Sequence, residues 1–246
     1  MLGVTNFSVD VHSLSYREGD SQFTGLLYRP SAPPGDRPGI LLFHGGAGLD
    51  SHAQQQSRRY AELGYTVFAA DLYGDGTAGD RQRILAQVTA LRDDPDLLAA
   101  RGRAALAAAP QVDAYAVIGF CFGGLAALTL ARAGAELAGA ELAGVISVHG
   151  TLTTSAPAEP GAVTARVLVC HGARDPHVPM AHVEQFAAEM DHARADWQLN
   201  VYGGAEHGFT HEHATPGATP GVSYHRDADA RSHADIRAFL ADVPAR

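Results

Sequence analysis

The chain has 246 residues, of which 46% are hydrophobic and 18% are charged, as in an ordinary globular protein. Its formal net charge of −9, with no cluster of lysine and arginine, disfavours a nucleic-acid partner. Two cysteines make a disulfide framework unlikely and favour a cytoplasmic setting. The N-terminal residues do not have the pattern of a signal peptide, and no apolar run reaches the roughly 18 residues that span a membrane.

The first predicted elements are two short stretches, residues 7–11 and 23–28, on either side of the turn-like Glu18-Gly19-Asp20-Ser21. They favour an antiparallel hairpin at the edge of a sheet. Continuous apolar runs follow at residues 39–43, 65–70, 115–120, 144–148, 167–170 and 197–202. Because these runs are continuous rather than alternating, they indicate strands that are buried on both faces, as in a parallel sheet.

Helical stretches separate most of these strands, at residues 53–63, 82–91, 97–108, 122–133, 180–190 and 225–240. Residues 134–144 are predicted to form a surface turn, and residues 151–165 a loop. Strands that alternate with helices predict an α/β fold, with a mostly parallel twisted sheet of about eight strands and helices on both faces. We predict a single domain over residues 1–246, because single α/β domains often reach this length.

The segment from Val117 to Gly124 runs from a predicted strand into a predicted helix and contains Gly119-Phe120-Cys121-Phe122-Gly123. This is the cysteine form of the nucleophile elbow of α/β-hydrolases, in which a tight turn presents the nucleophile above the sheet. The N-terminus of the following helix favours a thiolate. An isolated cysteine in a glycine-rich turn is more often buried and inert, but here strand, glycines and helix agree. The pattern therefore predicts that Cys121 is a nucleophile.

Two later loops offer the partners of such a nucleophile. Asp175 follows the strand at residues 167–170 on a turn that Pro176 stiffens, and His207 lies on a glycine-rich loop after the strand at residues 197–202. Each residue alone is ordinary for a turn or a surface loop. Their order along the chain predicts a triad in which His207 moves the proton of Cys121 and Asp175 orients the imidazole.

The remaining site residues are predicted from the loops around this triad. Backbone N–H groups of Phe122 and Gly46 are the expected oxyanion donors, and Tyr73 and Phe209 are candidates to line the pocket. Three histidines precede glycine at strand ends and are expected at the pocket edge or in the core: His44, His149 and His171. The cluster His207, His211 and His213 has a spacing seen in zinc sites, but its loop offers no rigid face, so no metal is predicted.

Taken together, these residues resemble the dienelactone hydrolase family, also called carboxymethylenebutenolidases. The stretches that carry the resemblance are residues 43–49, 70–74, 119–124, 171–179 and 202–209. The resemblance implies one domain with an eight-stranded sheet, a Cys-His-Asp triad, and no metal or cofactor. It also implies that the chain hydrolyses a small-molecule ester or lactone.

Three positions depart from the family members that act on dienelactone. Those enzymes have an activating glutamate where this chain has Gly45, and two arginines that bind the substrate carboxylate where it has Asp75 and His211. An aspartate would repel a substrate carboxylate, so dienelactone itself is not the expected substrate. We expect a neutral or differently charged substrate.

The leading hypothesis is therefore a hydrolase of esters or lactones that forms a thioester acyl-enzyme on Cys121. A thioesterase, a peptidase or another acyl-transfer enzyme would share that intermediate, and the sequence barely separates them. A non-catalytic relative that only binds a ligand is the third class. We expect a monomer or a small homo-oligomer, whether the chain is an ester or lactone hydrolase or another acyl-transfer enzyme.

Overall fold

A computed structural model describes residues 7–31, 37–74, 77, 79–134, 141–214 and 217–243. The strands are β1 (Val9–Glu18), β2 (Ser21–Pro30), β3 (Gly39–Phe43), β4 (Val67–Ala70), β5 (Ala114–Phe120), β6 (Glu141–Val148), β7 (Arg166–Gly172) and β8 (Trp197–Tyr202). The helices are α1 (Ser51–Ala61), α2 (Arg81–Asp93), α3 (Pro95–Ala108), α4 (Phe122–Arg132), α5 (Met180–Ala193) and α6 (Arg226–Asp242). Every predicted strand and helix is present, although many end points differ from the predicted ones.

The eight strands form one sheet in the order β1-β2-β4-β3-β5-β6-β7-β8. β1 pairs antiparallel with β2, and β2 pairs antiparallel with β4, whereas every later pairing is parallel. The predicted mostly parallel α/β fold with an antiparallel hairpin at one edge is therefore confirmed. The central strands β3, β4 and β5 are buried along their whole length, as their continuous apolar runs require.

Helices cover both faces of the sheet, and each face has its own apolar core. On one face α1 and α6 contribute buried side chains such as Tyr60 and Phe239. On the other face α3, α4 and α5 pack, with side chains such as Leu130 and Phe186. Among the residues that the structure describes, no helix is long and apolar enough to cross a membrane.

The predicted surface turn extends too far. The predicted turn at residues 134–144 overlaps β6, which already begins at Glu141, and residues 135–140 lie outside the described residues. Leu142 is buried and pairs with Tyr115 of β5, so tertiary pairing makes a strand of a segment whose small residues predict a turn. The predicted loop at residues 151–165 contains neither helix nor strand, as expected.

The fold positions the site through the shared direction of its parallel strands. The carboxyl ends of β3, β5, β7 and β8 lie at the same edge of the sheet. The loops that follow these strands carry Gly45, Cys121, Asp175 and His207. Residues that are far apart in sequence are thus brought to one place.

Candidate active site

Cys121 lies in the turn between β5 and α4, and its backbone is in an unusual conformation. Its φ of 52° and ψ of −114° fall where non-glycine residues are rare, at a cost of about 1–3 kcal/mol. A Cβ added at Gly119 would lie 1.9 Å from the carbonyl oxygen of Gly123, and one added at Gly123 would lie 2.3 Å from that of Phe43. Both glycines are therefore needed for strand and helix to approach so closely.

A chain of hydrogen bonds joins the sulfur to an imidazole and a carboxylate. The Sγ of Cys121 is 3.1 Å from Nε2 of His207, and Nδ1 of His207 is 2.8 Å from Oδ2 of Asp175. The other oxygen of Asp175 accepts the backbone N–H groups of His177 at 2.8 Å and of Val178 at 3.0 Å. The carboxylate is thus fixed on both oxygens and holds the imidazole with its Nε2 toward the sulfur.

The loop that carries His207 is itself held in place. The N–H of His207 donates to the carbonyl of Gly221 at 3.0 Å, and its carbonyl accepts the N–H of Ser223 at 3.1 Å. These bonds form a short parallel bridge between His207 and the segment around Val222. These backbone bonds therefore fix the loop that positions the imidazole.

The three groups shift one another's ionisation. Burial alone would raise the pKa of Cys121, but its bond to His207 and the N–H groups of Gly46 and Phe122 outweigh burial, and the pKa falls below its usual value. Burial would lower the pKa of His207, yet Asp175 and Cys121 raise it to about 10. Likewise, burial would raise the pKa of Asp175, but His207 and two N–H groups lower it. The arrangement therefore favours a thiolate–imidazolium pair beside a carboxylate.

The glycine-rich loop after β3 is held by two side chains. Because the N–H of Leu72 donates to Nε2 of His44 at 3.0 Å, the ring proton is on Nδ1, which donates to the carbonyl of Gly45 at 2.8 Å. The hydroxyl of Tyr73 lies 3.4 Å from the same carbonyl and 3.2 Å from that of Gly46. The Gly45 carbonyl and the Gly46 N–H belong to one planar peptide, so these bonds orient the N–H that faces the sulfur.

A second group of histidines borders His207. The hydroxyl of Thr210 lies 2.9 Å from Nε2 of both His52 and His149, and His211 stacks on His52 with ring centroids 3.6 Å apart. Burial lowers the pKa of His52 to about 3, and burial also lowers the pKa values of His149 and His211. The ring of His149 meets that of His207 edge-on at 5.4 Å. The base is therefore bordered by neutral imidazoles, which do not repel the imidazolium that it forms.

The remaining predicted residues have different outcomes. A side chain at Gly45 would begin 3.6 Å from the Cβ of Cys121, so this position does border the Cys121 side chain. Phe209 does not line an open pocket, because it is fully buried and packs against His149 and Tyr202. Asp75 lies outside the described residues.

Only part of the surroundings of the triad could be predicted from the sequence. His44 and His149 were expected at the pocket edge or in the core, but no role was predicted for His52 or Thr210, which are 158 residues apart and meet only in the fold. Within the described part of the chain, no group of three or more histidine, cysteine or carboxylate side chains is placed to bind a metal ion.

Comparisons with known proteins give consistent matches. The family model described as "Dienelactone hydrolase family" matches residues 23–243. The solved structure named m3DLH is 36% identical, with a TM-score of 0.86, over 96% of this chain and 99% of that one. The dienelactone hydrolase-like promiscuous phosphotriesterase P91 from metagenomic libraries is 31% identical, with a TM-score of 0.85 and the same coverage. A Bradyrhizobium protein described as a probable 2-oxo-3-(5-oxofuran-2-ylidene)propanoate lactonase is 26% identical over 79% of this chain and 81% of its own length.

Proposed function

This chain belongs to the dienelactone hydrolase family and is an ester or lactone hydrolase, and we propose that it acts through a thioester formed on Cys121. The observation that carries this proposal is the hydrogen-bond chain from the sulfur through His207 to Asp175. The lowered pKa of the thiol and the raised pKa of the imidazole support the same assignment, because together they favour a nucleophilic thiolate.

The proposed reaction has two halves. The Cys121 sulfur forms a bond to the substrate carbonyl carbon, and the carbonyl electrons move to oxygen, where the N–H groups of Gly46 and Phe122 stabilise the charge. Collapse of this intermediate breaks the ester C–O bond, and the alkoxide takes the proton from Nε2 of His207. His207 then accepts a proton from water, which attacks the thioester and releases the acid and the thiolate. Asp175 stabilises the imidazolium throughout.

We infer that the part of the substrate next to the reacting carbonyl is uncharged. His211 stands where dienelactone-cleaving relatives have an arginine, and burial lowers its pKa, so it carries no charge at neutral pH to pair with a carboxylate. Gly45 adds no side chain beside Cys121. The site thus has no fixed cation at this position, and a substrate carboxylate would lose its counter-charge.

Mass spectrometry of the intact protein tests the thioester mechanism. After brief incubation with a p-nitrophenyl ester, we expect the protein to gain the mass of the acyl group, and peptide mapping to locate it on Cys121. A parallel panel of lactones and acyl thioesters separates a lactonase or esterase from a thioesterase by relative kcat/KM. Turnover with the acyl group on any residue other than Cys121 would contradict the mechanism, and binding without turnover would favour the ligand-binding alternative.

The bonds from Tyr73 to the oxyanion loop lead to a separate prediction. In Tyr73→Phe the carbonyl oxygens of Gly45 and Gly46 lose a donor, so the peptide that presents the Gly46 N–H is held less firmly. We expect kcat to fall about fivefold, the effect of roughly one neutral hydrogen bond, with a smaller change in KM. Steady-state kinetics with a short p-nitrophenyl ester measure both constants.

Tyr115→Phe is the matched control, because the hydroxyl of Tyr115 also donates to a backbone carbonyl, that of Pro110, at the opposite end of β5. It should leave kcat unchanged. Equal kinetics in the two variants would show that Tyr73 does not position the oxyanion loop.

A second activity is favoured by one relative. P91 is named a promiscuous phosphotriesterase, and 96% of the present chain matches it. A dialkyl aryl phosphate is uncharged, as we infer for the substrate, and it offers phosphorus in place of carbon to the same thiolate. Including such a phosphotriester in the substrate panel tests this activity directly.

A further inference from the structure

A cavity of about 580 Å³ lies beside the proposed active site, within the 300–1,000 Å³ that small-molecule sites usually occupy. It is bounded by the α2–α3 junction, by α4, by the loop after β6 and by the start of α5. Two features connect it to the reacting groups. His177 lines the cavity, and its ring centroid is 5.2 Å from that of His207. Leu125, also in the lining, is one helical turn from Cys121.

The lining of the cavity combines apolar side chains with hydroxyl groups. Its apolar residues include three leucines: Leu91, Leu98 and Leu125. Five lining residues carry a hydroxyl group: Thr129, Thr151, Thr153, Thr154 and Ser155. Arg92 and Asp93, which also line the cavity, are exposed, and their charges cancel. This lining suits an uncharged group that has both hydroxyls and an apolar ring face.

Two polar atoms in the lining have no hydrogen-bond partner among the described residues. They are Oγ1 of Thr129, whose residue is 4% exposed, and Nδ1 of His182. A buried polar atom without a partner lowers the stability of a fold, so such atoms need an explanation. Rotation of either side chain toward the cavity would let a hydroxylated ligand supply its missing partner.

The hydroxyl-bearing loop is anchored although it lacks regular structure. Arg132 donates to the carbonyl of Leu152 at 2.7 Å and is paired with Glu189 at 2.7 Å. Glu189 in turn accepts the N–H of Ala158 at 3.0 Å. The wall of the cavity is therefore fixed before a ligand arrives, which lowers the entropic cost of binding.

We propose that this cavity binds a polyhydroxylated, uncharged part of the substrate, so that the enzyme prefers sugar-like lactones or esters over plain aliphatic ones. The proposal rests on the proposed hydrolase function, and it names the substrate class of the same site. The hydroxyls of the ligand bond to Thr129, His182 and the anchored loop, and its carbonyl faces Cys121.

Two lactones test the proposal, because δ-gluconolactone and δ-valerolactone share a six-membered ring and differ in their hydroxyl-bearing substituents. With each kcat/KM divided by the uncatalysed rate, the enzyme should favour gluconolactone by roughly tenfold or more, since each new hydrogen bond adds a factor of about five. Thr129→Val, which keeps the shape and removes the hydroxyl, should lower this preference about fivefold, and Thr129→Ser should restore it. Thr24→Val, on β2, is the control and should leave the preference unchanged.

A binding measurement separates the cavity from the chemistry. Cys121→Ala cannot form a thioester, yet calorimetry should show that it binds gluconolactone roughly tenfold more tightly than valerolactone. Equal affinities, or a preference that Thr129→Val leaves intact, would overturn the proposed cavity function. Failure of the wild-type chain to hydrolyse p-nitrophenyl acetate would instead count against the thioester mechanism, because the calorimetric result needs no turnover.

Discussion

Cys121→Ala is expected to lower kcat/KM for esters by about 10⁴- to 10⁶-fold, the range seen when a nucleophile is removed from a triad. The sulfur is the attacking atom in the proposed mechanism, and the variant leaves His207 and Asp175 in place. Alanine keeps the Cβ, so the backbone strain at φ 52° is the same in both proteins and the fold should not change. Initial rates with a p-nitrophenyl ester and the absence of an acyl adduct in the mass spectrum check the prediction.

Cys121→Ser provides the graded comparison. The serine hydroxyl occupies nearly the same place as the thiol, but it is far less acidic. No serine alkoxide–imidazolium pair therefore forms before substrate binds. Its activity should lie between those of the wild type and Cys121→Ala. If Cys121→Ala has the same thermal stability as the wild type and keeps more than about a tenth of its activity, another nucleophile is at work.

The elements of the fold could be predicted because their signals are local. Continuous apolar runs and helical stretches identified each strand and helix, and the first two strands were placed in a hairpin. The order of the strands was not predicted, because β3 lies between β4 and β5 through contacts that no local pattern records. The start of β6 was missed for the same reason, since its pairing with β5 overrides the turn-like composition of residues 141–144.

The candidate site likewise has residues that could be predicted from the sequence and contacts that could not. Cys121, Asp175 and His207 were located because each follows a predicted strand, and parallel strands end at one edge. The supporting contacts could not be predicted, because they depend on side-chain directions across distant segments. The bond between Tyr73 and Gly46 and the two bonds of Thr210 are of this kind. The burial of Phe209 also depends on how its loop packs in the finished fold.

His207→Gln is expected to lower kcat/KM by about 10⁴-fold, because glutamine can donate a hydrogen bond but cannot exchange a proton near neutral pH. The variant loses both the base that activates the thiol and the acid that protonates the leaving alkoxide. It also loses the charge that lowers the pKa of Cys121, whereas burial of the sulfur, which raises that pKa, persists. Steady-state rates and the pH dependence of iodoacetamide alkylation measure the two effects.

The pH profiles make the prediction specific to a thiolate–imidazolium pair. In the wild type the pair exists above the lowered pKa of Cys121 and below the pKa of His207, which is about 10. The value of kcat/KM should therefore rise with pH through the first pKa and fall through the second. In His207→Gln the falling limb should disappear, and alkylation of Cys121 should require a higher pH than in the wild type. An unchanged alkylation profile would mean that the imidazole does not control the thiol, and the 3.1 Å contact would then be only a structural one.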